Sequence, residues 1–316
     1  MSAEANATPL VTCEGIVKIY KAADLEVTAL QGLELEVRRG EMLAIMGASG
    51  SGKTTLLNIL SGLDVPNAGR CMVAGFDLTR LTDRQRNVYR SRAIGQLWQQ
   101  TGRNLFFDAT LAENVELPQA LTGAIGSARR ARAYELLKQV GLDGLEQRRP
   151  AEVSGGEQQR CSIAVALAND PALLLADEPT GNLDSQTAHS VFEVLRAFNQ
   201  SQGLTVVTVT HDPAIAALCD RTIAIRDGQT STETLRVADR AAEAGGARGR
   251  LTGLPTSTHR EAAVIDRVGR VQLPRESLER LGFRGRAEVR DASDHLELWP
   301  LESAPSDSKP EGADTP

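Results

Sequence analysis

Residues Gly47 to Thr54 read G-A-S-G-S-G-K-T, and this octapeptide restricts the fold more than any other feature of the chain. The run from Leu43 to Met46 before it is apolar and short, as a buried strand is, and Leu56, Leu57 and Leu60 behind it fall at helical spacing. Strand, glycine-rich loop and helix in that order make a cradle for phosphate. The glycines let backbone N–H groups approach the oxygens, and the helix presents its positive end. Gly47, Ala48, Ser49, Gly50, Ser51, Gly52, Lys53, Thr54 and Thr55 are therefore expected around a bound nucleotide. Lys53 would reach the β- and γ-phosphates and the Thr54 hydroxyl would meet Mg2+.

From residue 10 to 229, short β-rich runs alternate with longer helical patterns, which predicts an α/β layered domain. Leu173 to Ala176, Leu204 to Val209 and Thr222 to Ile225 read as buried strands, and Asp227-Gly228 as a closing turn. Between about 82 and 158 the pattern turns helical and rich in Arg, Gln, Ala and Leu, which marks an inserted helical subdomain. The apolar runs fall far short of the roughly 20 residues of a membrane-spanning helix. The amino terminus, M-S-A-E-A-N-A-T-P-L, lacks a basic segment followed by an apolar one, so a cytoplasmic location is expected. Cys13, Cys71, Cys161 and Cys219 contain no Cys-x-x-Cys pair, which argues against a disulfide framework and a zinc cluster. A net charge of −6 offers no global attraction to nucleic acid.

Asp177 follows the apolar strand at Leu173 to Ala176, at the carboxyl end where open α/β sheets hold ligands. A carboxylate there suits magnesium. Glu178 beside it suits a general base, or the group that positions an attacking water. Alone, two acids before Pro179 would describe a solvated turn equally well; the phosphate loop shifts the reading toward chemistry.

Tyr20, Gly47 to Thr54, Gln99, Ser154-Gly155-Gly156-Glu157-Gln158, Leu173 to Glu178, Gly181-Asn182-Leu183-Asp184 and His211 occur in an order that resembles the nucleotide-binding subunit of ATP-binding cassette (ABC) transporters. The resemblance implies a P-loop NTPase core of RecA-like type that uses ATP and Mg2+, with hydrolysis powering a separate membrane permease. It implies that two copies pack head to tail, each ATP lying between one copy's phosphate loop and Ser154, Gly155, Gly156 and Glu157 of the other. Tyr20 would stack on adenine, Gln99 would sense magnesium and the nucleophilic water, Asp184 would communicate across the dimer, and His211 would contact the γ-phosphate. Catalysis would rest on Glu178, His211, Lys53 and Gln99, and magnesium on Thr54, Gln99 and Asp177. Through its permease the protein would sit on the inner face of the cell membrane.

The chain departs from the family pattern around Gln99. Gln96-Leu97-Trp98-Gln99 stands where relatives usually have Phe-Val-Phe-Gln, with two extra residues before Asn104-Leu105, so Gln100 is an alternative to Gln99. The runs V-T-A-L-Q-G-L, L-N-I-L-S-G-L-D and E-N-V-E-L-P resemble the branch that includes lipoprotein-release and macrolide-export ATPases.

Residues 230–258, rich in Ala, Gly, Arg, Thr and Ser, read as a flexible linker, and residues 302–316 as a disordered tail. Between them, residues 259–301 carry V-I-D-R-V-G-R-V-Q-L-P-R-E, which resembles the swapped-hairpin module of AbrB-like regulators. A small β-rich module is thus expected after the α/β core. Such regulators commonly bind DNA, yet eight arginines stand against eight acids from residue 260 to 300. Without excess positive charge to contact phosphates, dimerisation is the favoured role. The alternative is a soluble regulatory ATPase that engages DNA through this module.

Overall fold

The computed structural model describes residues 8–22, 25–181, 183–237, 258–264, 269, 271–273, 275–283, 287–292 and 295–300. The expected tail and most of the expected linker lie outside the described residues. The chain opens with β1 (Val11–Ala22), β2 (Leu25–Val37) and β3 (Met42–Met46), followed by α1 (Lys53–Leu60), β4 (Ala68–Val73) and β5 (Phe76–Asp77). Next come α2 (Asp83–Val88), β6 (Ile94–Leu97), α3 (Leu111–Leu121), α4 (Gly126–Gln139) and α5 (Gly155–Ala166). The core continues through β7 (Leu173–Asp177), α6 (Ser185–Gln202), β8 (Thr205–Val209), α7 (Pro213–Ala216), β9 (Arg221–Arg226) and β10 (Gln229–Val237). Beyond it lie β11 (Thr258–Ala263), α8 (Arg275–Arg280), β12 (Ala287–Ala292) and β13 (His295–Pro300).

The main sheet has the order β11-β10-β9-β3-β8-β7-β6, and its strands from β9 to β6 run parallel. β3, β7 and β8 are apolar on both faces because both faces are covered. Leu43, Ile45, Val207 and Val209 pack with α1 and the antiparallel sheet β2-β1-β4-β5. Met42, Ala44 and Val206 pack on the opposite side with Phe192 and Leu195 of α6 and Ile163 of α5. Parallel strands share one direction, so the loops after β3, β7 and β8 emerge at one edge, and that edge carries the site.

The interval 82–158 is not helical throughout. Ile94–Leu97 form β6, which pairs with β7 at the far edge of the main sheet. Four residues are too few for period-two alternation to stand out from the helical patterns around them.

Residues 229–237 are also strand rather than the start of a linker. Asp227 and Gly228 have φ of 51° and 74° and turn β9 tightly into β10, as a two-residue hairpin demands. Two polar side chains of β10 are satisfied by backbone: the Thr230 hydroxyl donates to the Glu34 carbonyl at 2.7 Å and the Ser231 hydroxyl to the Ala224 carbonyl at 3.1 Å. β11 then pairs along β10 from Val237↔Thr258 to Thr232↔Ala263. Residues 259–263, expected to open a separate C-terminal module, are therefore part of an edge strand of the main sheet. β12 and β13 form a separate two-stranded sheet.

All four cysteines are buried and free of disulfides. Among the described residues no helix is long and apolar enough to cross a membrane.

Candidate functional site

At the end of β3 the chain turns sharply into α1. Gly47 has φ 153° and Gly52 φ 104°; a Cβ on the first would lie 2.3 Å from the Ile225 carbonyl oxygen, and on the second 2.5 Å from that of Ala29. Only glycine permits this approach to β9 and β2. Lys53 Nζ donates to the carbonyls of Gly47 at 2.8 Å and Ala48 at 2.7 Å, so the ammonium closes the loop on itself. The resulting cleft of about 520 Å³ is lined by Gly47, Ser49, Gly50, Gly52, Lys53, Thr54 and Thr55, by Val27 to Ala29 of β2, and by Asp177, Glu178, Val209 and His211.

Asp177 is half-buried at the end of β7. Burial and the charge of Glu178 push its carboxyl above the usual range, while Lys53 and Arg103 pull less strongly downward. Together with the Thr54 hydroxyl it offers hard oxygen donors to the cleft. Among the described residues no group of three or more His, Cys, Asp or Glu is gathered for a metal ion. Such a sparse set fits Mg2+, which is commonly held by one or two protein ligands plus phosphates and waters.

Glu178 holds a left-handed backbone with φ 44°, its amide donating to the Val209 carbonyl at 3.0 Å. This strained conformation is the kind that persists at functional positions. Glu178 Oε1 lies 3.1 Å from His211 Nδ1, and Oε2 accepts from Gln99 Nε2 at 3.1 Å. Gln99 thus reaches the acid from the end of β6, whereas the carbonyl of Gln100 accepts from the Arg103 amide at 2.9 Å within a short 3-10 turn, Thr101–Arg103. Asn104 braces this turn through two bonds to the Trp98 backbone, at 3.0 and 2.9 Å. The turn leaves Gln99 within hydrogen-bond reach of Glu178.

Tyr20 lies opposite Val27 in the β1–β2 ladder, near the mouth of the cleft. Its hydroxyl donates to Asp64 Oδ2 at 2.8 Å, and Lys18 Nζ, 2.5 Å from Asp64 Oδ1, sits 5.0 Å from the Tyr20 ring centre. Burial alone would raise the Asp64 carboxyl, but the Lys18, Tyr20 and Val65 donors together hold it below the ordinary carboxylate range. A carboxylate with a depressed folded pKa stabilises above its unfolded value and loses that contribution as pH falls through the folded one. Asp64→Asn is therefore expected to lower unfolding free energy by about 1 kcal/mol near neutral pH, after allowance for solvent screening. The deficit should shrink toward the acid range, as urea titrations across pH will show.

Ser154 caps α5 in a reciprocal box: its amide and hydroxyl donate to Glu157 Oε2 at 2.7 and 2.8 Å, and its oxygen accepts from the Glu157 amide. Gly156 packs so closely on α6 that a Cβ would lie 2.6 Å from Thr187 Cγ2, whereas a Cβ on Gly155 would make an ordinary 3.7 Å contact with Leu183. Asp184 caps α6 by accepting from the amides of Gln186 and Thr187, at 3.1 and 3.0 Å. The Thr187 amide and hydroxyl hold its carboxyl below the usual range. Ser154 to Glu157 and Asp184 are thus neighbours of one another, but none of them lines the cleft of Lys53 and Glu178.

Val27 to Ala29 and Asp64 fall in the runs that resemble the family branch, but sequence reading assigned neither a role at the site. The register of β1 on β2 brings the first group to the cleft, and Asp64 meets Tyr20 across 44 residues of chain. Neither run states that its residues meet the cleft or Tyr20.

A family model described as ABC transporter matches residues 30–181. The macrolide export ATP-binding/permease protein MacB of Brucella abortus is 45% identical over 228 residues, which cover 72% of this chain but only 35% of that protein. The lipoprotein-releasing system ATP-binding protein LolD of Chromohalobacter salexigens is 41% identical over 229 residues, covering 72% of this chain and 96% of that protein. Among solved structures, the dimeric ATP-binding cassette MJ0796 in a post-hydrolysis state with ADP and Pi superposes with a TM-score of 0.65 at 40% identity. The match covers 71% of this chain and 97% of that one.

Proposed function

Because the chain belongs to the ABC transporter family, we propose that it is an ATP-binding and ATP-hydrolysing subunit that pairs head to tail with a second copy and drives a separate membrane permease. The observation that carries this reading is the separation, within one chain, of the Ser154–Glu157 helix start from the cleft of Lys53, Asp177 and Glu178. A capped helix N-terminus with free amides is an anion site in search of phosphate. A second copy, turned head to tail, brings that site to the open side of the cleft. The dimeric MJ0796 cassette supports this arrangement.

Within each composite site the phosphate loop and Lys53 would hold the phosphates, and Thr54, Asp177 and Gln99 would hold Mg2+. Bound there, the metal would supply positive charge that offsets the charge of the phosphates. Glu178 orients the attacking water and takes its proton, fixed by Gln99 on one carboxylate oxygen and His211 on the other. Tyr20 stacks on the adenine.

The permease docks beside the Gln99 turn. A groove of about 550 Å³ runs between β6 and α3, with Phe106 63% and Leu121 80% exposed along it. Its proximity to Gln99 couples docking to the catalytic acid. The protein then works at the cytoplasmic side of the membrane, in the branch of the family that the MacB and LolD likenesses support. For residues 259–301, whose first residues join the main sheet as β11, the swapped-hairpin likeness enters this reading as a device for self-association.

Mixing two inactive chains tests the composite site. Lys53→Ala damages the phosphate loop, and Gly155→Asp sets a negative charge where the partner's phosphate must lie, at a position with room for a side chain. Each variant alone is expected to fail to capture ATP in a dimer. Mixed equally, they should regain roughly a quarter of the wild-type sites, because random two-fold pairing places both lesions in the same half of each mixed dimer. No recovery on mixing would overturn the shared-site reading.

A further inference from the structure

The two faces of the β12–β13 hairpin differ in kind. On one face Glu288 lies opposite Trp299 and Arg290 opposite Glu297. Arg290 donates twice to Glu288 at 3.1 Å, its guanidinium lies 5.0 Å from the Trp299 ring centre, and Trp299 Nε1 donates to Glu297 Oε2 at 2.9 Å. Polar groups there satisfy one another beside water. The opposite face takes Ala287, Val289, Asp291, Leu296, Leu298 and Pro300 from the alternate positions, with Val289 directly across from Leu298 and Asp291 across from Leu296 at the hairpin's end. Val289, Leu296 and Leu298 are 61%, 68% and 37% exposed. A two-stranded sheet has no layer of its own to cover such a face.

We propose that this apolar face is a contact surface for the same face of a second copy of the chain. Size and charge select that occupant. Three partly exposed side chains of this kind bury roughly 200–300 Å² per copy at the usual area per residue, well below the approximately 800 Å² per partner of a stable independent complex. So small a face can hold only a partner that something else keeps near. The second copy in the head-to-tail pair meets that condition, because a contact made within an existing pair acts at high effective concentration. This argument rests on the pairing proposed above. Charge points the same way: eight arginines balance eight acids from residue 260 to 300, and Arg290 is already paired with Glu288, so the surface has no excess cation for a nucleic-acid backbone. A symmetric contact also puts Leu296 and Leu298 of each copy at the shared axis region, where one apolar face covers the other.

The test uses the full-length chain carrying Glu178→Gln, in which ATP-bound pairs accumulate. Adding L296E together with L298E is expected to raise the dissociation constant of the ATP-bound pair by about tenfold or more, measured by sedimentation velocity, with ATP affinity of the single chain unchanged. An unchanged dissociation constant overturns the proposal. Retention of a DNA duplex in physiological salt that the double variant loses also overturns it, in favour of nucleic-acid binding. Leu296→Cys provides a second reading that does not depend on the charged variant folding: the native cysteines are buried, so mild oxidation should link two chains through residue 296. Absence of that link overturns the proposal. If the Glu178→Gln chain fails to pair with ATP at all, the head-to-tail reading fails instead, and the cysteine link measured without nucleotide decides the hairpin contact alone.

Discussion

Glu178→Gln is expected to retain ATP binding while steady-state hydrolysis falls by about 10²–10⁴-fold, the range contributed by a positioned general base. Gln keeps the size of the side chain and one oxygen that accepts, so the cleft should stay assembled; what disappears is the carboxylate charge, shared by the oxygen 3.1 Å from His211 Nδ1 and the oxygen 3.1 Å from Gln99 Nε2. Without a proton acceptor the bound ATP persists, and the pair that ATP holds together persists with it. Size-exclusion chromatography should show a species of doubled mass with ATP and not with ADP. Rapid hydrolysis by this variant would remove Glu178 from its assigned role, and leave the strained φ of 44° unexplained.

Lys53→Ala is expected to fail one step earlier. The ammonium does two things, donating to the carbonyls of Gly47 and Ala48 and presenting its charge to the phosphates. Charge-assisted bonds contribute about 1.5–3 kcal/mol each, so nucleotide affinity should weaken by roughly 10- to 100-fold. Calorimetric titration of MgATP reads this directly. Affinity equal to that of the unaltered chain would mean that the loop amides alone hold the phosphates.

The two variants separate binding from chemistry, and that separation mirrors what could be read before the structure. G-A-S-G-S-G-K-T is legible because its pattern is local: the glycines and the lysine that curls back six residues fall in one octapeptide, although the backbone that Gly47 and Gly52 approach belongs to β9 and β2. D-E-P-T at the end of β7 is legible for a similar reason, since a buried strand delivers its next residue to the sheet edge. Gln99 is less legible, because the turn after β6 holds extra residues and only the 3.1 Å contact with Glu178 distinguishes it from Gln100. β6 and β10 escaped reading for opposite reasons. The first is only four residues long; the second is polar, and its Thr230 and Ser231 hydroxyls are paired with backbone carbonyls that no composition reveals.

What the chain's own sequence determined is the set of chemical groups and the short motifs that place each one at a strand or helix end: the phosphate loop, the paired acids, the capped Ser154 helix and the histidine after β8. Those placements depend on a few neighbouring residues, and neighbours in sequence are enough to specify them. Which groups share a site was decided by the tertiary structure alone. Gln99, Glu178 and His211 converge because β6, β7 and β8 lie side by side, while Ser154 stays apart because α5 packs against α6. β11 belongs to the main sheet because β10 offers it an edge of unpaired backbone. Such contacts arise from hydrogen bonds and packing across tens of residues, and no local window of sequence contains both partners.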